Sequence, residues 1–273
     1  MPPAVLILSS FVAASRVGGG AQAMVLARLG LEPILVPSVQ LGRHPGFGAP
    51  GGKPVEPQTM ASMLKGIDAQ GTFQRLAAVI TGYFALADQV AVAADAIAMA
   101  RSGSPDAMIV VDPIMGDAES GLYVREAVAA AIEQRLVQRA DLVAPNAWEL
   151  ARLIDAPVQD AEAALRGARE LGRPVLVSSV PADAAIGTLY VDTADAFLAL
   201  HPRARTAPKG TGDLLTALFT AARVSGRGPR AALSAAVGGV ADAVALAGDA
   251  HELPVGAMPL KLAPSKRVRI ARL

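Results

Sequence analysis

The stretch AVLILSSFVAASRVGGGAQAMVLARLGLEPILVPSV, residues 4–39, changes its hydrophobic character twice. Ala4 to Ser9 is a short apolar run with almost no polar interruption, as expected of a strand buried on both faces. Ala21 to Leu29 is Ala/Leu-rich and of helical length, and Glu32 to Val39 returns to the apolar, β-branched composition of a strand. Strand, helix and strand in that order form a βαβ unit, whose two strands must pair in parallel.

The alternation continues downstream. Strands are predicted at Ala78 to Thr81, Ala107 to Val111, Asp141 to Ala144 and Pro174 to Ser178. Between them fall helices at Gln58 to Gln70, Leu86 to Arg101, Arg125 to Gln138, Ala147 to Ile154 and Asp160 to Leu171. The runs Gly187 to Thr193 and Ala196 to His201 are close enough to form an antiparallel pair. Two long helices then start at Gly212 and at Pro229. The expected fold is α/β, a three-layer, open, mostly parallel sheet with helices on both faces and an antiparallel pair near the C-terminal end.

Residues 1–273 read as a single domain, since α/β folds of roughly 250 residues commonly form one and no linker interrupts this one. The Gly/Pro-dense segment Gly42 to Pro57 lies between a strand and a helix, so it reads as a functional loop or flap. The C-terminal KRVRIARL alternates basic and apolar residues and reads as a last edge strand with a solvated face.

Composition narrows the function classes. Lys and Arg number 25 against 24 Asp and Glu, a net charge of +1 that argues against nucleic-acid binding. The chain has no Cys, which excludes disulfides, thiolate nucleophiles and Cys zinc sites, and its three His (His44, His201, His251) are scattered. The mean hydropathy of +0.40 owes much to alanine. Asp, Arg, Gly or Pro is expected to interrupt each apolar run before it could cross a bilayer, so neither a membrane span nor a signal peptide is expected and the cytoplasm is the expected compartment.

In a parallel sheet, ligands bind outside the carboxyl ends of the strands, where loops and helix N-termini converge. The predicted strands deliver Ser9 and Ser10, Gln40 and then His44, Gly82 and Tyr83, Asp112 and Asp117, Asn146 and Glu149, and Ser178 and Ser179 to that edge. The strongest local signal is PKGTGD, Pro208 to Asp213, directly before the helical run LLTALFTA. Its glycines leave the N–H groups of Gly210 to Asp213 unpaired at the positive end of a helix, a nest that suits a phosphoryl group in transfer. Asp213 could accept a proton from an attacking hydroxyl, or serve only as a helix-start residue stabilised by the dipole. Asn146 could equally be a helix cap and Asp112 a turn former. There is no P-loop motif. Gly18, Gly20 and Ala23 lie too far from the first strand, and no acidic residue ends the second, for a dinucleotide fingerprint.

These motifs, in this order, resemble the pyridoxal kinases of the ribokinase superfamily. LILSSFVAASRVGGGAQAMVLARLG is similar to the family's opening strand and first helix, PSVQLGRHPGFG to its His-bearing loop, and ITGYF to its glycine-tyrosine turn. VVDPIMGD, ADLVAPNAWEL and GTGDLLTALF complete the series. The resemblance implies ATP-dependent phosphorylation of the 5'-hydroxymethyl of pyridoxal or a related vitamer. It implies Asp213 as base and Gly210, Thr211 and Gly212 as anion hole. It places Asp112 and Glu149 around Mg2+ and Asp117 near the γ-phosphate. Asn146, Ser178 and Ser179, with Thr211 and Gly212, match nucleotide contacts. Ser10, Val17, His44 and Tyr83, with Asp213, match the vitamer pocket. A homodimer follows from the same resemblance, and a monovalent cation is compatible with it.

Three positions depart from the family pattern. Pro45 replaces the threonine that often follows the loop histidine, Ala144 replaces a Thr or Ser before Pro145, and Phe11 replaces a His after the substrate serine. None is the base or the anion hole, so the departures bear on substrate preference. The rival readings are a hydroxymethylpyrimidine kinase of the same fold and a non-catalytic pyridoxal-binding protein, which would have no need of a base.

Overall fold

The computed structural model describes residues 1–183, 185–206 and 208–273. A ten-stranded sheet forms its middle layer. Six strands run parallel: β1 (Ala4–Val12), β2 (Glu32–Leu41), β4 (Leu76–Thr81), β5 (Met108–Val111), β8 (Leu142–Val143) and β9 (Val175–Ala182). β3 (Gly52–Pro54) adds antiparallel to β2 at one edge. At the other edge β10 (Ala185–Val191), β11 (Ala196–Pro202) and β12 (Arg269–Arg272) continue antiparallel from β9. The expected antiparallel pair is therefore β10 with β11, and the basic tail is the edge strand β12.

The central strand β1 explains the layering. Val5 and Ile7 face one core and Ala4, Leu6 and Leu8 the other, the period of two of a strand covered on both sides. The first face is covered by α1 (Gly18–Arg28), α7 (Thr211–Val224) and α8 (Pro229–Ala247). The second is covered by α2 (Pro57–Ala69), α3 (Ala87–Gly103) and α4 (Glu126–Arg135), continued by α5 (Ala147–Leu153) and α6 (Ala161–Glu170) over the antiparallel end.

One expectation gains detail and another needs correction. The segment Gly42 to Pro57, expected as a loop or flap, carries local structure: Gly52–Pro54 pairs with β2 as β3, and Pro45–Phe47 forms a turn of 3-10 helix. The expected interruptions do occur in α8, at Arg230, Gly238, Gly239 and Asp242, but they do not keep it below the threshold: by length and composition the helix is long and apolar enough to cross a membrane. Half of it is buried within the fold, where Ala232, Leu233, Ala236, Val237 and Val240 pack with α7.

The order β9-β8-β5-β4-β1-β2 places β2 on one side of β1 and every later parallel strand on the other. The winding thus reverses at β1, and the crevice outside the carboxyl ends of β1 and β4 is the topological switch point where such sheets bind ligands.

Candidate active site

The N-terminus of α7 stands over that crevice. Gly210 precedes it with φ of 93°, a left-handed conformation, and a Cβ there would lie 2.5 Å from the carbonyl oxygen of Arg16. Both constraints demand glycine. The first N–H groups of α7, on Thr211, Gly212 and Asp213, precede any intrahelical acceptor and carry the positive end of the helix dipole. Leu214 closes the first turn by donating to the Gly210 carbonyl at 3.0 Å.

Asp213 sits in this turn. Its Oδ2 accepts the N–H of Gly18 at 2.8 Å, and its Oδ1 is buried without a partner among the described residues. Burial pushes its carboxyl up to about 6, against the lowering effect of the Gly18 bond. A carboxylate with one anchored and one free oxygen is arranged to accept a proton near neutral pH.

Gly18 is fixed by the residues below it. Its φ is 63°, and a Cβ would fall 2.0 Å from the Ser10 Oγ. A register shift between Ser9 and Phe11 in β1 offsets Ser10 in the strand, and Ser10 is buried there beside the start of α1. Val17, also buried, is the residue before α1. The Ser9 Oγ accepts the Tyr83 N–H at 3.2 Å, while Ser38 Oγ donates to the Tyr83 carbonyl. The His44 N–H donates to Ser15 Oγ at 3.1 Å, and the His44 ring Nδ1 accepts the Gly46 N–H at 3.0 Å. The ring proton is therefore on Nε2, and burial followed by the charge of Lys209 holds His44 below the ordinary histidine value.

On the other side lie the acidic residues. Asp112 is buried and one of its oxygens accepts from Thr216 Oγ1 at 2.7 Å. Burial first, then the carboxylates of Glu149 and Asp213, hold it well above the usual carboxylate range. Glu149 is also buried and is pushed up to about 7 by desolvation, opposed by the N–H groups it accepts. Its Oε1 takes the N–H of Met115 at 2.7 Å and that of Gly116 at 3.4 Å, and its Oε2 takes that of Asn146 at 2.9 Å. Asn146 returns the bond by capping α5 through the Glu149 N–H at 2.9 Å, and its Nδ2 donates to the Gly116 carbonyl at 2.8 Å. The capping reading of Asn146 is thus realised and leaves its amide committed within the protein.

The Asp117 side chain acts locally. Its Oδ1 accepts the N–H groups of Glu119 and Ser120 and so caps the hairpin between β6 (Gly116–Asp117) and β7 (Gly121–Leu122). Ser178 is drawn to the site by a bridge to Asn146 and by donating its N–H to the Pro145 carbonyl at 2.9 Å. Ser179 is exposed with φ of 57°, where β9 loses register with β10.

Two residues at the site went unread in the sequence. Thr216 holds Asp112 from α7. Tyr123 donates its N–H to the carbonyl of Met115 at 3.0 Å, the residue whose own N–H is held by Glu149, and burial, followed by Glu149, Asp112, Asp117 and Asp213, holds its phenol above the ordinary value. Their signals are tertiary and have no local motif.

Among the described residues no three His, Cys, Asp or Glu side chains form a closed metal cage. Asp112 and Glu149 provide hard oxygen donors already part-committed to the protein. Such a set fits Mg2+, which keeps water and phosphate oxygens as most of its ligands. A cavity of about 900 Å³ opens at the opposite, amino-terminal edge, lined in part by Arg75 and Arg101, which are paired with Glu32 and Asp141. It lies apart from the groups described above.

Comparison with known proteins gives the family. The phosphomethylpyrimidine kinase family profile matches residues 53–261. A pyridoxal kinase of Corynebacterium diphtheriae is 31% identical over 249 residues, 88% of each chain. A pyridoxine/pyridoxal/pyridoxamine kinase of Bordetella avium is 35% identical, covering 81% of this chain and 78% of that one. Pyridoxal kinase from Leishmania donovani, solved with ADP, superposes with a TM-score of 0.91 at 26% identity over 99% of both chains. The chain belongs to the pyridoxal kinase family, within the ribokinase-like fold and the wider group that the phosphomethylpyrimidine kinase profile describes.

Proposed function

We propose that this chain transfers the γ-phosphoryl group of ATP to the 5'-hydroxymethyl of pyridoxal or a related B6 vitamer. The observation that carries the reading is Asp213, anchored by Gly18 through one oxygen and free at the other, in the first turn of a helix whose N–H groups point at the same crevice. The free oxygen accepts the proton of the vitamer hydroxyl as that oxygen bonds to the γ-phosphorus and the bond to ADP breaks. The N–H groups from Gly210 to Asp213 hold the equatorial oxygens of the transferring group, where charge is shared in the transition state.

Ser10, Val17, His44 and Tyr83 surround the pyridine ring in this reading. Asn146, Ser178, Ser179, Thr211 and Gly212 border the nucleotide, with Asp117 toward the γ-phosphate. Asp112 and Glu149 would hold Mg2+, which when bound offsets phosphate charge. The same family resemblance supports a homodimer working in the cytoplasm. A hydroxymethylpyrimidine kinase is the second reading, favoured by the matched profile.

ATP consumption with pyridoxal, pyridoxine, pyridoxamine and hydroxymethylpyrimidine, side by side with Mg2+, separates the readings. Turnover of a vitamer is expected. Turnover of the pyrimidine alone transfers the chain to the second reading, and turnover of none overturns both.

A further inference from the structure

Beyond α8 the chain returns to the vitamer side of the crevice. Glu252 Oε2 accepts the N–H of Arg16 at 3.2 Å. Next to it the His251 carbonyl accepts the N–H of Lys209 at 2.8 Å, and Lys209 and Glu252 form an isolated parallel bridge. The His251 ring lies 6.1 Å from that of Phe47, which in turn stands edge-on to His44 at 5.8 Å. One dipeptide thus touches the turn before α1, the approach to the anion nest and the tip of the flap.

We propose that Glu252 is a positioning residue for the vitamer half of the site, clamping the Arg16–Gly18 turn from which Asp213 is anchored. Arg16 is held from two sides. Its N–H is bound by Glu252, and its carbonyl is packed against Gly210 so closely that a Cβ there would lie 2.5 Å away. Two residues on, the Gly18 N–H holds Asp213. Removing the Glu252 oxygen leaves the Arg16 donor without its acceptor and frees the turn that sets the base. The bonds described above for Asp112, Asn146 and Glu149 do not involve Glu252, so the nucleotide half is unaffected. The inference rests on the reading of Asp213 as the base.

Glu252→Ala and Glu252→Gln test it, since the glutamine retains an oxygen for the Arg16 N–H. In Glu252→Ala, kcat/KM for the vitamer falls about tenfold, as for loss of a hydrogen bond to a charged group. The KM for ATP stays within about twofold of wild type, and Glu252→Gln recovers most of the loss. Amide hydrogen exchange over residues 13–18 quickens in Glu252→Ala and returns toward wild type in Glu252→Gln. Unchanged exchange in Glu252→Ala overturns the clamp, as does a parallel loss for ATP and vitamer that glutamine does not rescue. A wild-type chain that phosphorylates no vitamer overturns the proposed function instead, and the exchange measurement still decides the clamp.

Discussion

The Gly18 amide donates to Asp213 Oδ2 across 2.8 Å, joining the turn after β1 to the start of α7 over 195 residues of sequence. In the proposed function this bond ties the floor of the vitamer pocket to the group that takes the proton of the substrate hydroxyl. It also explains why both partners have the identities they do: Gly18 must be left-handed over Ser10, and Asp213 must be an acceptor in the first turn of a helix.

Gly18→Ala therefore combines a strained φ with a collision against Ser10. The variant is expected to lose about 3 kcal/mol of stability and most of kcat. Chemical denaturation and steady-state kinetics measure the two, and a fully stable, fully active variant contradicts the geometry described.

Asp213 must be ionised to act as base, so kcat/KM falls as pH drops through about 6. The stability effect has the opposite sense. Its native pKa lies above the ordinary carboxyl value, so the folded state binds the extra proton, and this contribution is lost as pH rises from about 4 through about 6. Asp213→Asn keeps an acceptor for Gly18 and avoids the buried charge. At pH 8 it should be more stable than wild type by up to about 3 kcal/mol, a difference that vanishes below about pH 4. Thermal melts at both pH values check it.

Glu149→Ala removes the acceptor of three backbone donors at once and half of the α5 capping box. A loss of about 2 kcal/mol is expected, with a raised KM for ATP and little change in vitamer KM. Equal effects on both substrates would place Glu149 outside the nucleotide half.

Asp112→Ala is expected to raise the Mg2+ concentration needed for half-maximal rate and to leave the Thr216 hydroxyl without its acceptor. A titration of rate against Mg2+ reads this directly. An unchanged requirement moves the metal elsewhere.

The six parallel strands, the antiparallel pair and the basic edge strand were legible because hydrophobic period and turn residues are local signals. β3, β6 and β7 were not, since runs of two or three residues are too short to show a period. The carboxyl-edge residues were legible through the strand-end rule, which placed Asp112, Asn146, Glu149 and Ser178 together before any contact was known. What that rule could not supply is how each polar atom is used. Asn146 and Asp117 have their side chains committed to a cap and a hairpin. Thr216 reaches Asp112 over 104 residues and Glu252 reaches Arg16 over 236, separations that only the folded chain closes.

The most direct test of the central claim is the identity of the product formed from ATP and pyridoxal by wild type and by Asp213→Ala, followed by phosphorus NMR. The account predicts a phosphate ester on the 5'-oxygen of pyridoxal, formed by the wild type. It predicts a rate lowered at least about a hundredfold in the variant, which still binds both substrates. Formation of the same ester at a near-normal rate without the Asp213 carboxylate would contradict it.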